Sequence, residues 1–94
     1  MVTEFSNQKD AGRYEMRVDV ELAGFVDYRV LDGEISLTRT FTVPTFRGKG
    51  LAAKLVEYAV DDIARSGELR VAPICPYIAK WFDAHPEHSG LLRR

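Results

Sequence analysis

Between Arg13 and Val18 the apolar residues Tyr14, Met16 and Val18 alternate with Arg13, Glu15 and Arg17, the two-residue period of a half-buried strand. A second alternation sets Leu22, Gly24, Val26, Tyr28 and Val30 against Ala23, Phe25, Asp27 and Arg29. It stops at Asp32-Gly33, a dipeptide that marks a tight hairpin between apolar runs. The third run places Ile35, Leu37, Phe41 and Val43 on one face, with Arg39 among them, and Ser36, Thr38, Thr40 and Thr42 on the other. The pattern predicts three antiparallel strands joined by short turns, with residues 1–12 ahead of them as a flexible arm.

The period then changes. Pro44 ends the third run, Thr45-Phe46-Arg47-Gly48-Lys49-Gly50 follows, and apolar residues next recur at 51, 52, 55, 56, 59, 60 and 63. That spacing predicts an amphipathic helix of about four turns. Gly67 supplies a stop, and Leu69-Arg70-Val71-Ala72 reads as a short strand. A helical crossover makes this strand parallel to the run at 35–43. After Pro73 and Pro76, which bracket Cys75, the i,i+4 pairs Tyr77/Trp81 and Ile78/Phe82 predict a shorter helix ending at His85-Pro86, with those aromatic rings in the core. Residues 89–94 are expected as a tail. The fold class is α+β (α/β), with one domain over 13–88.

Composition narrows the function. A chain of 94 residues, 46% hydrophobic and 29% charged, suits one soluble globular domain and excludes a disordered or collagen-like chain. The charge-free stretches fall short of the 18 or so residues that a membrane helix needs, and Glu4 and Asp10 interrupt any leader-like run, so no membrane role is expected. Thirteen basic and fourteen acidic residues leave a net charge of −1, which disfavours nucleic acid as a partner. The one cysteine, Cys75, allows no internal disulfide, and neither His85 nor His88 has metal-pair spacing. A reducing cytosol and no metal are the expectations.

Arg47-Gly48-Lys49-Gly50 lies between a strand and a helix start, where unpaired N–H groups and the helix dipole attract anions. The glycines permit close backbone approach, and Arg47 and Lys49 add positive charge. The plainer reading is a strand-to-helix turn with two solvated bases. No Walker A spacing is present, and Ala53 breaks a G-x-G-x-x-G pattern.

At this loop the chain resembles the GNAT superfamily of N-acetyltransferases, whose motif [QR]-x-x-G-x-[GA] aligns with Thr45-Phe46-Arg47-Gly48-Lys49-Gly50 and differs only at Thr45. It resembles more closely the small single-domain GNAT-like proteins of the YjdJ type. That likeness rests on Val43-Pro44, Arg47-Gly48-Lys49-Gly50-Leu51-Ala52, Pro73-Ile74-Cys75-Pro76-Tyr77-Ile78-Ala79 and His85-Pro86-Glu87. The resemblance implies a minimal acetyltransferase core in which the strands at 35–43 and 69–72 splay apart around acetyl-CoA. Phe46, Arg47, Gly48, Lys49, Gly50, Leu51 and Ala52 would then hold the diphosphate, and Phe41, Thr42 and Val43 would pair with the pantetheine arm.

In the family a tyrosine on the last helix protonates the departing CoA thiolate, and the aligned position here is Asp83. Two candidates remain for that chemistry. Tyr77 offers a hydroxyl one turn earlier, and Cys75, at a helix start that favours thiolate, offers a nucleophile for the acetyl group. The alternative for Cys75 is a small buried residue in a proline-rich turn. Glu57, Asp61 and Asp62 read as a solvated helix face. The leading function is acetyl-CoA-dependent N-acetyl transfer to an unidentified amine, either a small molecule or a protein lysine. Its rival is a non-catalytic CoA-binding module, or a subunit completed by a homodimer or protein partner.

Overall fold

The computed structural model describes residues 2–93, leaving the outermost residues of the expected arm and tail, Met1 and Arg94, outside the description. The elements are β1 (Thr3–Gln8), β2 (Arg13–Val18), β3 (Glu21–Leu31), β4 (Glu34–Thr42), α1 (Leu51–Ser66), β5 (Arg70–Pro73) and α2 (Pro76–Ala84). Short 3-10 turns cover Lys9–Ala11, Pro44–Phe46 and Pro86–Leu91. The strands form one mixed sheet in the order β1-β2-β3-β4-β5, with β4 and β5 parallel and the other neighbours antiparallel. This is the α+β arrangement that the pattern predicts, with one strand more. Asp32-Gly33 makes the β3–β4 hairpin with both residues at positive φ, as the dipeptide indicates.

Three expectations about the strands and the two ends of the chain need correction. Residues Thr3–Gln8 of the expected arm are an edge strand, paired with β2 from Thr3↔Val18 to Gln8↔Arg13, and Phe5 stacks on Tyr58 of α1 at 5.0 Å. Phe5 is its one apolar residue, among Thr, Glu, Ser, Asn and Gln, so no period shows, since an edge strand buries one face only in part. The tail is also docked: Leu92 bridges to Val71, the Arg93 N–H donates to the Val71 carbonyl at 2.9 Å, and the Arg70 guanidinium donates to the Gly90 carbonyl. The third correction lies within β4. Asp27 pairs with Arg39 but Tyr28 with Leu37, so Thr38 is an extra, bulged residue whose hydroxyl donates to the Asp27 carbonyl at 3.3 Å.

One extra residue reverses the faces of everything after it. Ile35 and Leu37 point into the core, while beyond the bulge Thr40 takes the core side opposite Val26, and Arg39 and Phe41 turn to the outer face opposite Asp27 and Phe25. Phe41 packs on Phe25 at 5.3 Å, with the guanidinium of Arg39 over both rings. The bulge thereby keeps a charged residue out of the interior.

The opposite sheet face carries the core. Tyr14, Met16, Val26 and Leu37 from the strands meet Leu55, Val56, Ala59, Val60 and Ile63 of α1, and Ile78, Trp81 and Phe82 of α2 join the same cluster. The apolar stripe of α1 follows the predicted positions, and Gly67 ends the helix in the left-handed conformation. Trp81 and Phe82 are buried as expected, whereas Tyr77, on the outer side of the first turn of α2, is exposed.

Candidate active site

Strand β5 is short, and its shortness creates the site. It pairs with β4 only from Glu34↔Arg70 to Leu37↔Pro73. The Cys75 N–H adds one further bond to the Leu37 carbonyl at 2.9 Å, after which the chain turns into α2. From Arg39 to Thr42 strand β4 therefore has a neighbour, β3, on one side only. Backbone groups of successive strand residues point to opposite edges, and the Val43 N–H donates to Ala23 in β3 at 2.8 Å. Phe41 and Val43 are thus engaged with β3, and Thr40 and Thr42 present their N–H and C=O groups to the open edge. Of the three residues expected along the pantetheine arm, Phe41, Thr42 and Val43, Thr42 is the one whose backbone groups face the open edge, together with those of Thr40.

The glycine loop stands at one end of this open edge. Gly48 and Gly50 have φ of 80° and 72°, a conformation that L side chains rarely adopt, and open space lies where a Cβ would sit on either. Gly50 caps α1 without any side-chain hydrogen bond, and the first turn of α1 carries no acidic residue. The leading N–H groups of the helix consequently lack an internal acceptor or counter-charge, which suits a bound phosphate. Leu51 is buried beneath the loop, Ala52 half-buried, and Phe46 packs on the core with the Lys49 ammonium 5.9 Å above its ring. Arg47 turns back onto the strand: its Nε donates to the Thr42 carbonyl at 3.1 Å, and its guanidinium lies 5.9 Å from the Phe41 ring.

Cys75 sits at the other end, as the N-cap residue of α2. Its side chain is buried against the core, and Sγ lies 3.6 Å from the Thr40 hydroxyl across the opening between β4 and α2. Burial opposes ionisation of the thiol. The N–H groups of Ile78 and Tyr77 at the helix start, and the hydroxyl and N–H of Thr40, outweigh it and hold the thiol below its ordinary pKa. None of the contacts from α2 closes into a full capping hydrogen bond, so the sulfur is faced by donors without being saturated. Thr40 and Val43 are three residues apart, about 10 Å along an extended strand. Anion-favouring loop, open strand edge and polarised sulfur thus follow one another in a line.

The other candidates distribute differently. Tyr77 contributes its N–H to the sulfur's surroundings, while the residue is 42% exposed and its hydroxyl has no hydrogen bond among the described residues. Asp83 is exposed on α2. His85 caps α2, with Nδ1 2.7 Å from the Trp81 carbonyl and its ring stacked on Trp81 at 4.0 Å. Asp62, expected on a solvated face, instead accepts a 2.8 Å hydrogen bond from the Tyr14 hydroxyl. Thr40 is the residue that sequence reasoning missed. Its only signal is a strand rich in threonine, and the bulge that aims it inward has no signature in the residues around Thr38.

The fold agrees with comparison to known families. The model of the GCN5-related N-acetyl-transferase family matches residues 13–91. The chain belongs to that family, and its fold is one that supports acetyl transfer. No curated protein matches it. Among the described residues no cluster of metal-ligating side chains occurs, and no helix is long and apolar enough to cross a membrane.

Proposed function

We propose that this domain is an acetyl-CoA-dependent N-acetyltransferase acting on an amine, with Cys75 receiving the acetyl group before the amine does. The observation that carries the reading is the line formed by the uncapped α1 start, the open edge at Thr40 and Thr42, and the Cys75 sulfur. Acetyl-CoA fits what the residues offer: room at Gly48 and Gly50 for a diphosphate, and on the open edge the Thr42 N–H and the Thr40 carbonyl for the amides of the pantetheine arm. The thioester supplies an activated acyl carbon.

This chain's residues do the rest. Thr40 and the α2 N–H groups stabilise the Cys75 thiolate, which attacks the acyl carbon; an Sγ–C bond forms, the thioester C–S bond breaks, and the departing thiolate takes a proton. An amine then attacks the same carbon, loses a proton and releases the Cys75 thiolate. Tyr77, exposed beside the opening, is the proton donor for the departing thiolate in this scheme. The reaction belongs in the reducing cytosol, where a lone thiol remains free.

Calorimetric titration with CoA tests the binding half. Gly48→Val and Gly50→Val put a branched side chain into the space reserved for phosphate and strain the backbone. Each folded variant should bind CoA at least about tenfold more weakly, a loss of two or so phosphate hydrogen bonds. Wild-type affinity in both folded variants would contradict the loop assignment. An avid CoA complex with no acetyl transfer to any amine would favour a binding module instead.

A further inference from the structure

A second concavity lies away from the transfer site, where the β1–β2 connection meets the C-terminal half of α1. It has a volume of about 460 Å³ and is half open, in the size range of small-molecule pockets. Ile35 and Leu69 line it, at the closed end of the β4–β5 pair. Thr40, beside the Cys75 sulfur, is five strand residues further along, roughly 16 Å away. The two sites are separate.

The polar groups of this cavity have a definite character. Tyr14, 2% exposed, donates its hydroxyl proton to Asp62 Oδ2 at 2.8 Å, and Tyr28 donates to Asn7 Oδ1 at 2.6 Å. Both hydroxyl protons are therefore committed, so the two phenol oxygens and the carboxylate offer lone pairs, and the remaining donors among the lining side chains are the Asn7 amide and the exposed Lys9 ammonium. Burial, followed by the hydrogen bond to Asp62, holds the Tyr14 hydroxyl far above its ordinary pKa, so the proton stays where it is. Arg65, paired with Asp62 at 3.7 Å, lies largely in solvent, and among the lining residues two carboxylates, Asp62 and the exposed Glu68, stand against one cation, the exposed Lys9, which leaves the cavity net negative. The two tyrosine rings, 5.2 Å apart and tilted, add electron-rich faces. Ile35, Ile63 and Leu69 complete an apolar wall.

From this acceptor-rich, anionic and aromatic-walled cavity we infer that the protein has a second ligand site, for a small molecule carrying a primary ammonium on an apolar body. An anion would face the Asp62 carboxylate. A neutral apolar ligand would leave the acceptors without donors. The inference does not rest on acetyl transfer, because it concerns groups that the transfer site does not use.

The test is an amide-resolved NMR titration of the full chain with three matched probes: phenethylamine, 2-phenylethanol and 3-phenylpropanoate. Phenethylamine should give saturable shifts at the amides of Asn7, Gly12, Ile35, Asp62 and Leu69, and should leave Thr40 and Cys75 unmoved. It should bind roughly tenfold or more tightly than the alcohol, as expected for a hydrogen bond to a charged group. Asp62→Asn should bring the amine down to the affinity of the alcohol. The ranking on the unaltered protein decides the matter even if that variant fails to fold. Equal binding of amine and alcohol, preference for the acid, or no saturable shift with any probe overturns the inference.

Discussion

Strand β4 is two structures in one. Its first half, Glu34 to Leu37, has a strand on either side and places Ile35 and Leu37 in the core; its second half, Arg39 to Thr42, has a strand on one side and turns Phe41 outward. Saturated backbone bonding in the first half contributes stability. The second half has no strand on that side, an open edge that a folded protein ordinarily covers, and here it lies between an anion-favouring loop and a polarised thiol. The boundary is one bulged residue, Thr38, which changes both the face of each side chain and the edge to which each N–H points. The contrast teaches that the same strand can hold the fold with one half and leave the other free for a ligand.

Substitutions in the two halves should fail in different ways. Leu37→Ala, in the fully paired half, empties a completely buried site and should cost about 2–5 kcal/mol of stability by chemical denaturation. For a domain of this size that is a large part of the total. A loss under 1 kcal/mol would mean that the first half is not the structural one.

Thr40→Val, in the open half, keeps the shape and removes a donor. Stability should change by less than about 1.5 kcal/mol, and the effect should appear at Cys75. With the thiol held below its ordinary pKa, thiolate forms at lower pH than in a free cysteine, so the rate of iodoacetamide alkylation should rise with pH through a midpoint below that of a free cysteine. Removing the Thr40 hydroxyl raises that midpoint. An unmoved midpoint would remove Thr40 from the site.

Arg47→Gln should have the smallest effect. The guanidinium is partly solvated and folded back on Phe41 and the Thr42 carbonyl, so it contributes a screened increment to CoA binding. Affinity should fall with added salt, less steeply in the variant, and the two proteins should differ by under about fivefold. A loss of CoA binding in Arg47→Gln would shift the weight from backbone amides to this side chain.

Much of the first half was legible in the sequence, and little of the second. Ile35 and Leu37 alternate with polar neighbours, Asp32-Gly33 announces the hairpin, and the 51–63 stripe announces the crossover, because burial writes its period directly into the residues. The glycine loop and the Cys75 turn were also visible, through backbone demands that few residue types meet. The bulge was not. Continuing the alternation past Thr38 places Arg39 and Phe41 inside with Leu37, and only the pairing with Asp27 and Phe25 shows that they lie outside. Thr3–Gln8 and Asp62 were hidden for a related reason: each is defined by a partner far along the chain, Arg13–Val18 for the strand and Tyr14 for the carboxylate.

The central claim is that the open half of β4 delivers an acetyl group to Cys75. Incubation of the full chain with acetyl-CoA and no amine, followed at once by intact-mass and peptide analysis, tests it most directly. The account expects one added acetyl mass, located on Cys75, absent from Cys75→Ala and slowed in Thr40→Val. An unmodified Cys75, together with a Cys75→Ala variant that still acetylates amines at the rate of the unaltered protein, would contradict it and assign transfer to a direct route from acetyl-CoA to the amine.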